Sequence, residues 1–357
     1  MIRLSSVIEQ FEGDFLHQYA DRLLPSQGKA LAAMKVCRNR YSPLIKAHCD
    51  TCDSDQYFPH SCGNRHCPHC QHHESQQWLE NQCRKQVPAN YFMITFTVPV
   101  QLRNLFFRHQ KQCYGLLFES AWDTLQTFSQ NDKKLKGTPG VIAVLHTHTR
   151  TLDYHPHIHA VIPAAAINKK LHLWREKPGE YLFNHKALAN VFRAKLLEAI
   201  VENKLRLPDD CPQKWVVDCK SVGSGQKALV YLGRYLYRGV IQEKDILSCR
   251  DGNVTFRYLD SKTKRYRNKT VSGAHFLWLV LQHVLPRGFR RARNYGFLHP
   301  NSKILLKLLT LVFHFDPARF LKKQKPRSLL ICACCGKPMQ IVKTRIDRFT
   351  RQVQTPV

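Results

Sequence analysis

Residues 144–163 read VLHTHTRTLDYHPHIHAVIP, and the interpretation of the whole chain can be built outward from them. Apolar residues run through both halves of this stretch, and polar residues gather around Asp153 in the middle. The pattern predicts two strands, over residues 140–149 and 157–163, joined by a turn as a β-hairpin. The hairpin is the first element of a fold that the neighbouring segments extend.

Regular elements are also predicted on both sides of the hairpin. Strands are expected at 91–98, 215–220, 254–259 and 264–271, and helices at 102–128, 185–205, 226–240, 275–285 and 301–315. Strands and helices mixed along one chain predict an α+β fold with a central sheet flanked by helices.

The second strand of the hairpin carries a His-hydrophobic-His pattern. Successive side chains of a strand point to opposite faces, so His157 and His159 project together. Two imidazoles at this spacing can share one divalent metal ion, and Mg or Mn fits where phosphate and water oxygens complete the shell. His146 and His148 on the first strand are also two apart, and either would supply a third ligand across the hairpin.

A pair of tyrosines lies on the helix predicted at 226–240. Tyr231 and Tyr235 are four residues apart, so they share a helix face. Arg234 and Arg238 lie close by in sequence and would meet phosphate. A phenol is a weak nucleophile because its pKa is near 10, and it becomes competent where a metal polarises the electrophile. The spacing therefore nominates Tyr231 and Tyr235 as catalytic candidates.

Six of the 14 cysteines fall within a short stretch near the start of the chain. The zinc-ligand candidates are Cys37, Cys49, Cys52, Cys62, Cys67 and Cys70. Two Cys-x2-Cys pairs, at 49–52 and 67–70, have the spacing of a four-cysteine zinc site. Either one zinc ion takes these two pairs, or two zinc ions share the set of six.

A further pair of cysteines lies far along the chain, at Cys332 and Cys335. One pair is only half of a tetrahedral site, so it is either completed by residues from elsewhere or is a loop cluster of thiols. The basic segment that follows Cys335 is expected to be loosely held.

The charge of the chain points to a polyanionic partner. Lys and Arg number 55 against 26 Asp and Glu, a formal net charge of +29, which indicates nucleic acid binding. Arg290, Arg291 and Arg293 lie near Tyr295, an arrangement suited to gripping single-stranded DNA by its backbone and by stacking. No apolar run approaches the roughly 20 residues that span a bilayer, so a bacterial cytoplasmic protein without a membrane partner is expected.

Taken together, these motifs make the chain similar to a known family. It resembles the rolling-circle transposases of the insertion-sequence-ninety-one type, which belong to the HUH endonuclease superfamily. The likeness runs through SCGNRHCPHCQ, FMITFTVP, VLHTHTRTLDYHPHIHAVIP, YLGRYLYRGVI, FLWLVLQHVLPRGFRRARNYGFL and CACCGKPM, in that order. Relatives often carry Trp-Gly-Gln where this chain has His148-Thr149-Arg150, which leaves the third metal ligand to His146 or His148.

The resemblance implies a fold and a division into domains. It predicts an HUH domain with a central antiparallel sheet, preceded by a small Cys-rich zinc-binding domain and followed by a helical C-terminal region. The expected limits are 1–87 for the first helix and the zinc-binding domain, 88–245 for the HUH nuclease domain, 246–325 for a β/helical DNA-binding region and 326–357 for a Cys-containing basic tail.

The resemblance also implies a reaction. His157 and His159 would be metal ligands, and Tyr231 and Tyr235 would form the two-tyrosine motif. A transposase of this kind would cut and transfer single-stranded DNA at element ends and hairpins through a 5′-phosphotyrosine. One alternative is a plasmid or phage replication initiator, or a relaxase. A second is a non-enzymatic zinc-dependent DNA-binding protein, which explains the charge and the cysteines but not the histidines and tyrosines.

Overall fold

The structure is a computed structural model, and it describes residues 2–70, 72–168, 170–171, 173–237, 239–260, 262–317 and 329–347. Within helices it leaves out the side chains of His72, His73, Arg234 and Tyr237. In the part of the chain so described, no helix is long and apolar enough to cross a membrane.

The described residues contain both helices and antiparallel strands, which confirms the α+β prediction. The helices are α1 Leu4–Tyr19, α2 Pro25–Lys35, α3 His72–Cys83, α4 Arg103–Arg108, α5 Gln110–Asn131, α6 His185–Glu202, α7 Gln226–Tyr237, α8 Gly273–Leu281 and α9 Lys303–Val312. The strands are β1 Leu44–Cys49, β2 Ser54–Pro59, β3 Tyr91–Thr97, β4 Thr138–His148, β5 Tyr154–Pro163, β6 Ala165–Asn168, β7 Leu173–Glu176, β8 Val217–Ser221, β9 Ile246–Arg250, β10 Asn253–Leu259, β11 Tyr266–Ser272, β12 Ala292–Gly296 and β13 Gln340–Ile346.

The chain divides into two compact units, each assembled from separate segments. The terminal unit comprises Met1–Glu74, Tyr237–Val284 and Lys323–Val357, and the sheet unit comprises Ser75–Leu236 and Leu285–Lys322. The predicted limits at 87, 245 and 325 stay a prediction about domains.

The sheet unit is built on a seven-stranded antiparallel sheet. Its strand order is β7-β6-β4-β5-β3-β8, with β12 paired to β4. The predicted hairpin is confirmed as β4 and β5, and β3 lies on the other side of β5. In this register His146 lies opposite His157, while Val144 and Thr95 flank His159 from the two neighbouring strands. The histidines are therefore in the middle of the sheet.

One face of the sheet is covered by α5 and α6. Alternate residues of the central strands, such as Phe96, Leu145 and Ile158, are fully buried on this face with Phe118 and Phe192 from the two helices. Burying each large apolar side chain contributes roughly 1.5–3 kcal/mol, so this layer dominates the stability of the unit. The opposite face carries the three histidines together with apolar residues such as Val144 and Val161.

Helix α7 lies against that opposite face. Leu229, Leu232 and Leu236 are buried along one side of it, as the helical period of the sequence predicts. Gly225 immediately precedes the helix with φ +77°, and a Cβ there would approach the Tyr91 ring to 2.6 Å. Only glycine fits both the conformation and the space, so this residue sets where α7 begins.

The terminal unit contains two small sheets and a helix pair. The sheets have the orders β13-β1-β2 and β11-β10-β9. Helix α1 packs on α8, where Phe11 occupies the space beside Gly273, and Tyr19 stacks on Trp278 with ring centroids 5.1 Å apart. These contacts join segments that are more than 200 residues apart in sequence.

One prediction about this unit is wrong for residues 340–346, while the end of the same segment, from residue 348, lies outside the described residues. The segment after Cys335 was expected to be loosely held, but Gln340–Ile346 forms β13 and pairs antiparallel with β1. The prediction failed because QIVKTRI has neither an apolar face nor a helical period, and β13 is exposed along almost its whole length. Pairing with β1, rather than burial of its side chains, determines the conformation of β13.

Candidate active site

Three histidines meet on the α7 side of the central sheet. His146 comes from β4, and His157 and His159 come from β5. Each offers a ring nitrogen within 4.8 Å of the others, and the ring centroids are 4.3–5.2 Å apart. The spacing follows from the register, which puts His146 directly across from His157 and diagonal to His159.

His146 supplies the test of whether these residues fit a metal. It is 1 % exposed, and neither of its ring nitrogens has a hydrogen-bond partner among the described residues. A buried polar group left unpaired costs about 1–3 kcal/mol, so such groups are rare unless an ion or water meets them. Burial, with His159 and His157 close by, holds the pKa of His146 well below its usual value. A neutral imidazole with an unused nitrogen is a metal donor, and the site fits a divalent ion.

Contacts at Nδ1 orient the rings of the other two histidines. His157 Nδ1 lies 2.7 Å from the carbonyl oxygen of His155, to which it donates, and His159 Nδ1 lies 3.0 Å from Thr95 Oγ1. Such partners fix the ring of a ligating histidine and leave Nε2 for the ion. Burial lowers the pKa of His157 to about 4 and that of His159 to about 3, so both rings are neutral at physiological pH.

His148, the other candidate for the third ligand, does not join this group. A β-bulge between His146 and His148 breaks the regular pairing of β4 with β5, so His148 lies opposite Tyr154. Its Nδ1 lies 2.8 Å from the carbonyl oxygen of Thr149, and its ring stacks on Tyr235. The sequence left His146 and His148 open, and the geometry groups His146 with the pair.

Both tyrosines of α7 face the histidines. The Tyr231 ring is 5.8 Å from His159 and 6.0 Å from His146 between centroids, and this residue is 45 % exposed. Tyr235 is more enclosed: its ring lies flat on His146 at 3.3 Å, and its hydroxyl donates to the carbonyl oxygen of His148 at 3.3 Å. The expected helix face is therefore the one presented to the metal candidates.

Burial raises the pKa of both phenols, and an arginine opposes the rise in each case. The opposing charge is Arg150 for Tyr231 and Arg291 for Tyr235. The Arg291 guanidinium lies 5.3 Å from the Tyr235 ring and donates through Nε to the carbonyl oxygen of Leu145 at 3.0 Å. The two phenols are thus neutral at rest, and each has a cation that favours its ionised form.

The arginines predicted to bind DNA have different environments. Arg238 lies outside the described residues, as does the side chain of Arg234. Arg290 is exposed, whereas the Arg293 guanidinium packs 4.4 Å from the Phe118 ring. DNA binding by these residues stays a prediction, and Arg291 gains a second role at Tyr235.

Sequence reasoning missed Thr95 and Arg150. Thr95 lies in β3, at the position that pairs with His159. The threonines in YFMITFTV were the available signal, but choosing Thr95 over Thr97 required the register of β3 against β5. Arg150 follows the bulge, and nothing in the sequence links it to a helix 80 residues later.

Eight cysteines of the terminal unit form two groups of four. Within each group the sulfurs lie within 4.8 Å of one another. The first group is Cys37, Cys62, Cys67 and Cys70, and the second group is Cys49, Cys52, Cys332 and Cys335. In the first group three Sγ pairs are 3.6, 3.7 and 3.8 Å apart. Zn–S bonds of about 2.3 Å place tetrahedral sulfurs about 3.8 Å apart, so the group fits zinc. Of the two arrangements that the sequence left open, the grouping favours two zinc ions over one, because the pairs 49–52 and 67–70 belong to different groups.

Comparison with known proteins connects both parts of the chain to one kind of function. Residues 7–98 match the family described as transposase zinc-binding domain, and residues 140–303 match the family described as putative transposase. The first match contains the first cysteine group, and the second contains the three histidines and both tyrosines. A zinc-binding domain is therefore present, as the cysteine spacing predicted.

Two curated proteins are similar over most of the chain. The "Putative transposase y4qJ" of Sinorhizobium fredii is 32 % identical over 300 residues, covering 77 % of this chain and 75 % of that protein. The "Transposase for insertion sequence element IS801" of Pseudomonas savastanoi pv. phaseolicola is 28 % identical over 280 residues, covering 74 % of this chain and 65 % of that protein. No solved structure matches the chain. The chain belongs to the transposases of the insertion-sequence-ninety-one type.

Proposed function

We propose that this transposase cuts and rejoins single-stranded DNA by metal-dependent phosphoryl transfer to a tyrosine. The observation that supports the proposal most directly is the meeting of Tyr231 and Tyr235 with His146, His157 and His159 on one face of the sheet. Each part alone is common in proteins, but nucleophile and metal donors facing each other are what this reaction requires.

The three histidines would hold a divalent ion, Mg or Mn, whose remaining positions are open to phosphate and water oxygens. When bound, the ion supplies Lewis-acid polarisation of the scissile phosphate. His157 and His159 keep fixed orientations through the carbonyl oxygen of His155 and the hydroxyl of Thr95. The chain thus presents three clustered imidazoles to the ion, two of them held by hydrogen bonds through Nδ1.

Tyr231 is the better placed of the two nucleophiles. Its exposed fraction lets a DNA strand reach the phenol, whereas Tyr235 is enclosed between His146 and Arg291. The phenol gives up its proton as its oxygen bonds to phosphorus, and the bond from phosphorus to the 3′ oxygen breaks. The products are a 5′-phosphotyrosine and a 3′-hydroxyl, once the departing oxygen has gained a proton.

The covalent product keeps the energy of the broken bond, so rejoining needs no nucleotide cofactor. Attack by a 3′-hydroxyl on the phosphotyrosine reverses the step and releases the phenol. Tyr235 would accept a second strand while the first remains attached to Tyr231, once its ring has left the enclosure between His146 and Arg291. A strand transfer between two DNA ends follows from two such steps, and it matches the activity class of the family.

Recovery of a covalent adduct tests the proposal. The purified protein is incubated with a labelled single-stranded hairpin from an element end and Mn²⁺, and the linked peptide is identified by mass spectrometry. We expect the adduct on Tyr231, its loss in Tyr231→Phe and its persistence in Tyr235→Phe. Tyr266→Phe, which changes an exposed tyrosine of the terminal unit, is the matched control.

Undiminished cleavage in the double variant Tyr231→Phe/Tyr235→Phe would overturn the tyrosine mechanism. DNA binding without any adduct, in the unmodified protein with metal present, would favour the non-enzymatic alternative. A replication initiator or relaxase shares the chemistry, but the family matches are to transposases.

A further inference from the structure

We propose that the second cysteine group holds a zinc ion of its own, shared between two distant segments of the chain. The group takes Cys49 and Cys52 from the start of the chain and Cys332 and Cys335 from far along it. The matched zinc-binding domain ends at residue 98, so it contains only half of these ligands.

The four sulfurs have the arrangement of a closed tetrahedral site. All lie within 4.8 Å of one another, and Cys49 Sγ is 3.5 Å from Cys335 Sγ across 286 residues of sequence. No disulfide joins them in the structure, in which all four are free thiols. Four thiolates with no open position are typical of structural zinc and leave no place for a substrate.

The backbone turns back on itself at both Cys-x2-Cys pairs, through a hydrogen bond to the residue three positions back at the first pair and four positions back at the second. The amide of Cys52 donates to the carbonyl oxygen of Cys49 at 3.2 Å, and the amide of Gly336 donates to that of Cys332 at 3.0 Å. The residue after each pair has a left-handed conformation, with φ +45° at Asp53 and +69° at Gly336. These turns place both sulfurs of a pair on one side, as two ligands of one ion require.

Amide donors are also directed at one sulfur of the pair Cys332 and Cys335, namely that of Cys332. The amide of Cys334 donates to Cys332 Sγ at 3.4 Å, and the side-chain amide of Gln56 lies 3.5 Å from the same sulfur. Donors directed at a sulfur stabilise its thiolate form, which is the form that binds metal. Gln56 accepts in turn from the amide of Ala333, so a β2 side chain contacts the distant pair at two points.

Hydrophobic packing cannot hold this region together. Among the described residues its buried cluster consists of Ala47, Cys49, Cys332 and Met339, with Phe58 and Leu330 partly buried against it. β13 is exposed at six of its seven residues, so its pairing with β1 adds hydrogen bonds but little burial. Segments this poor in core are normally stable only when a metal or a disulfide joins them. A zinc ion at the second cysteine group joins β13 to the β1–β2 hairpin.

Zinc content of the full-length protein tests the site. Elemental analysis is expected to find two zinc ions per chain in the unmodified protein and one in Cys332→Ser/Cys335→Ser. Cys49→Ser/Cys52→Ser should also retain one, and the variant with all four changes should retain one rather than none. Cys334→Ser is the matched control, since this cysteine lies between the two ligands but outside the group, and it should keep both ions.

Two zinc ions in Cys332→Ser/Cys335→Ser would overturn the proposal, as would a four-fold variant with less zinc than either double variant. The unmodified protein gives a second readout that does not depend on folding of the variants. During alkylation with mapping by mass spectrometry, Cys334 should react quickly. Cys49, Cys52, Cys332 and Cys335 should become reactive together at one chelator concentration.

Protection cannot come from burial alone, because Cys52 and Cys335 are partly exposed. Alkylation of Cys332 and Cys335 at the rate of Cys334, before any chelator is added, would contradict a shared ion. Neither experiment measures DNA cleavage, so their outcomes are independent of the proposed function.

Discussion

The histidine cluster of the sheet unit and the second cysteine group of the terminal unit use opposite means to bring ligands together. The three histidines lie on a sheet whose far face is a large buried core, so their positions are determined before any ion arrives. The four cysteines lie on two turns, and among the described residues only Ala47 and Met339 are buried in one apolar cluster with them. In the first case the packed sheet positions the ligands, and in the second the ligands and their proposed ion stabilise the surrounding fold.

Removal of zinc should therefore produce the largest effect. Structural zinc contributes about 10–16 kcal/mol of apparent binding free energy, which a region without a core cannot replace. We expect a strong chelator to expose the amides of β1, β2 and β13 to hydrogen exchange while β3, β4 and β5 stay protected. Hydrogen exchange with mass spectrometry measures both sets in one sample. Equal loss of protection in the two sets of strands would mean that the terminal unit depends on zinc no more than the central sheet does.

His146→Leu should separate stability from activity. The change removes two unpaired buried nitrogens and keeps an apolar side chain of similar size, so the free energy of unfolding without metal should rise by about 1 kcal/mol. Cleavage should fall at least about 100-fold, because loss of even an outer partner of a metal ligand costs about 10–100-fold. Urea unfolding and the adduct assay measure the two quantities.

The control for this variant is His185→Leu at the exposed start of α6, which should change neither quantity. If His146→Leu lowers the free energy of unfolding by several kcal/mol, the imidazole stabilises the sheet and is not a metal ligand.

Gly225→Ala should displace the tyrosine helix. Its Cβ would meet the Tyr91 ring at 2.6 Å, and its φ of +77° disfavours any side chain. We expect a loss of about 2–3 kcal/mol in the free energy of unfolding and a loss of cleavage without loss of metal binding. Gly223→Ala is matched, since it also has positive φ but open space for a Cβ, and it should cost about 1 kcal/mol. Equal effects of the two variants would contradict the steric account.

Thr95→Val should have the smallest effect. It removes the hydroxyl that contacts His159 Nδ1 and keeps the shape of the strand, so metal affinity should weaken about 10-fold with stability nearly unchanged. Titration of Mn²⁺ by calorimetry measures the affinity. Thr97→Val, two residues along the same strand, leaves this contact intact and should bind Mn²⁺ normally. Unchanged affinity in Thr95→Val would show that Thr95 does not orient His159.

The sequence predicted the hairpin and the tyrosine face because both depend on short periods. Alternation in HPHIHAVIP places His157 and His159 together, and a spacing of four places Tyr231 with Tyr235. The same alternation could not separate His146 from His148, because a bulge between them is a property of the paired strands. Register against a neighbour, not the sequence of one strand, decides which histidine faces the cluster.

The second cysteine group could not be predicted from the sequence, and the reason is a different one. Cys332 and Cys335 were visible as half a site, but their partners lie more than 280 residues away. Several other cysteines were nearer in sequence to the pair at 49–52, and spacing favoured the pair at 67–70. Only the pairing of β1 with β13 brings the correct halves together.

The separation between the halves of the second cysteine group has a consequence for synthesis on the ribosome. At about 5–20 residues per second, roughly 15–60 s pass between the emergence of Cys49 and that of Cys335. Throughout that interval β1 has β2 as its neighbour but lacks β13 along its other edge. The sheet unit is translated in the meantime and has its core strands complete first. A ribosome that stops early therefore releases a nascent protein with its histidines and tyrosines in place and its terminal unit unfinished.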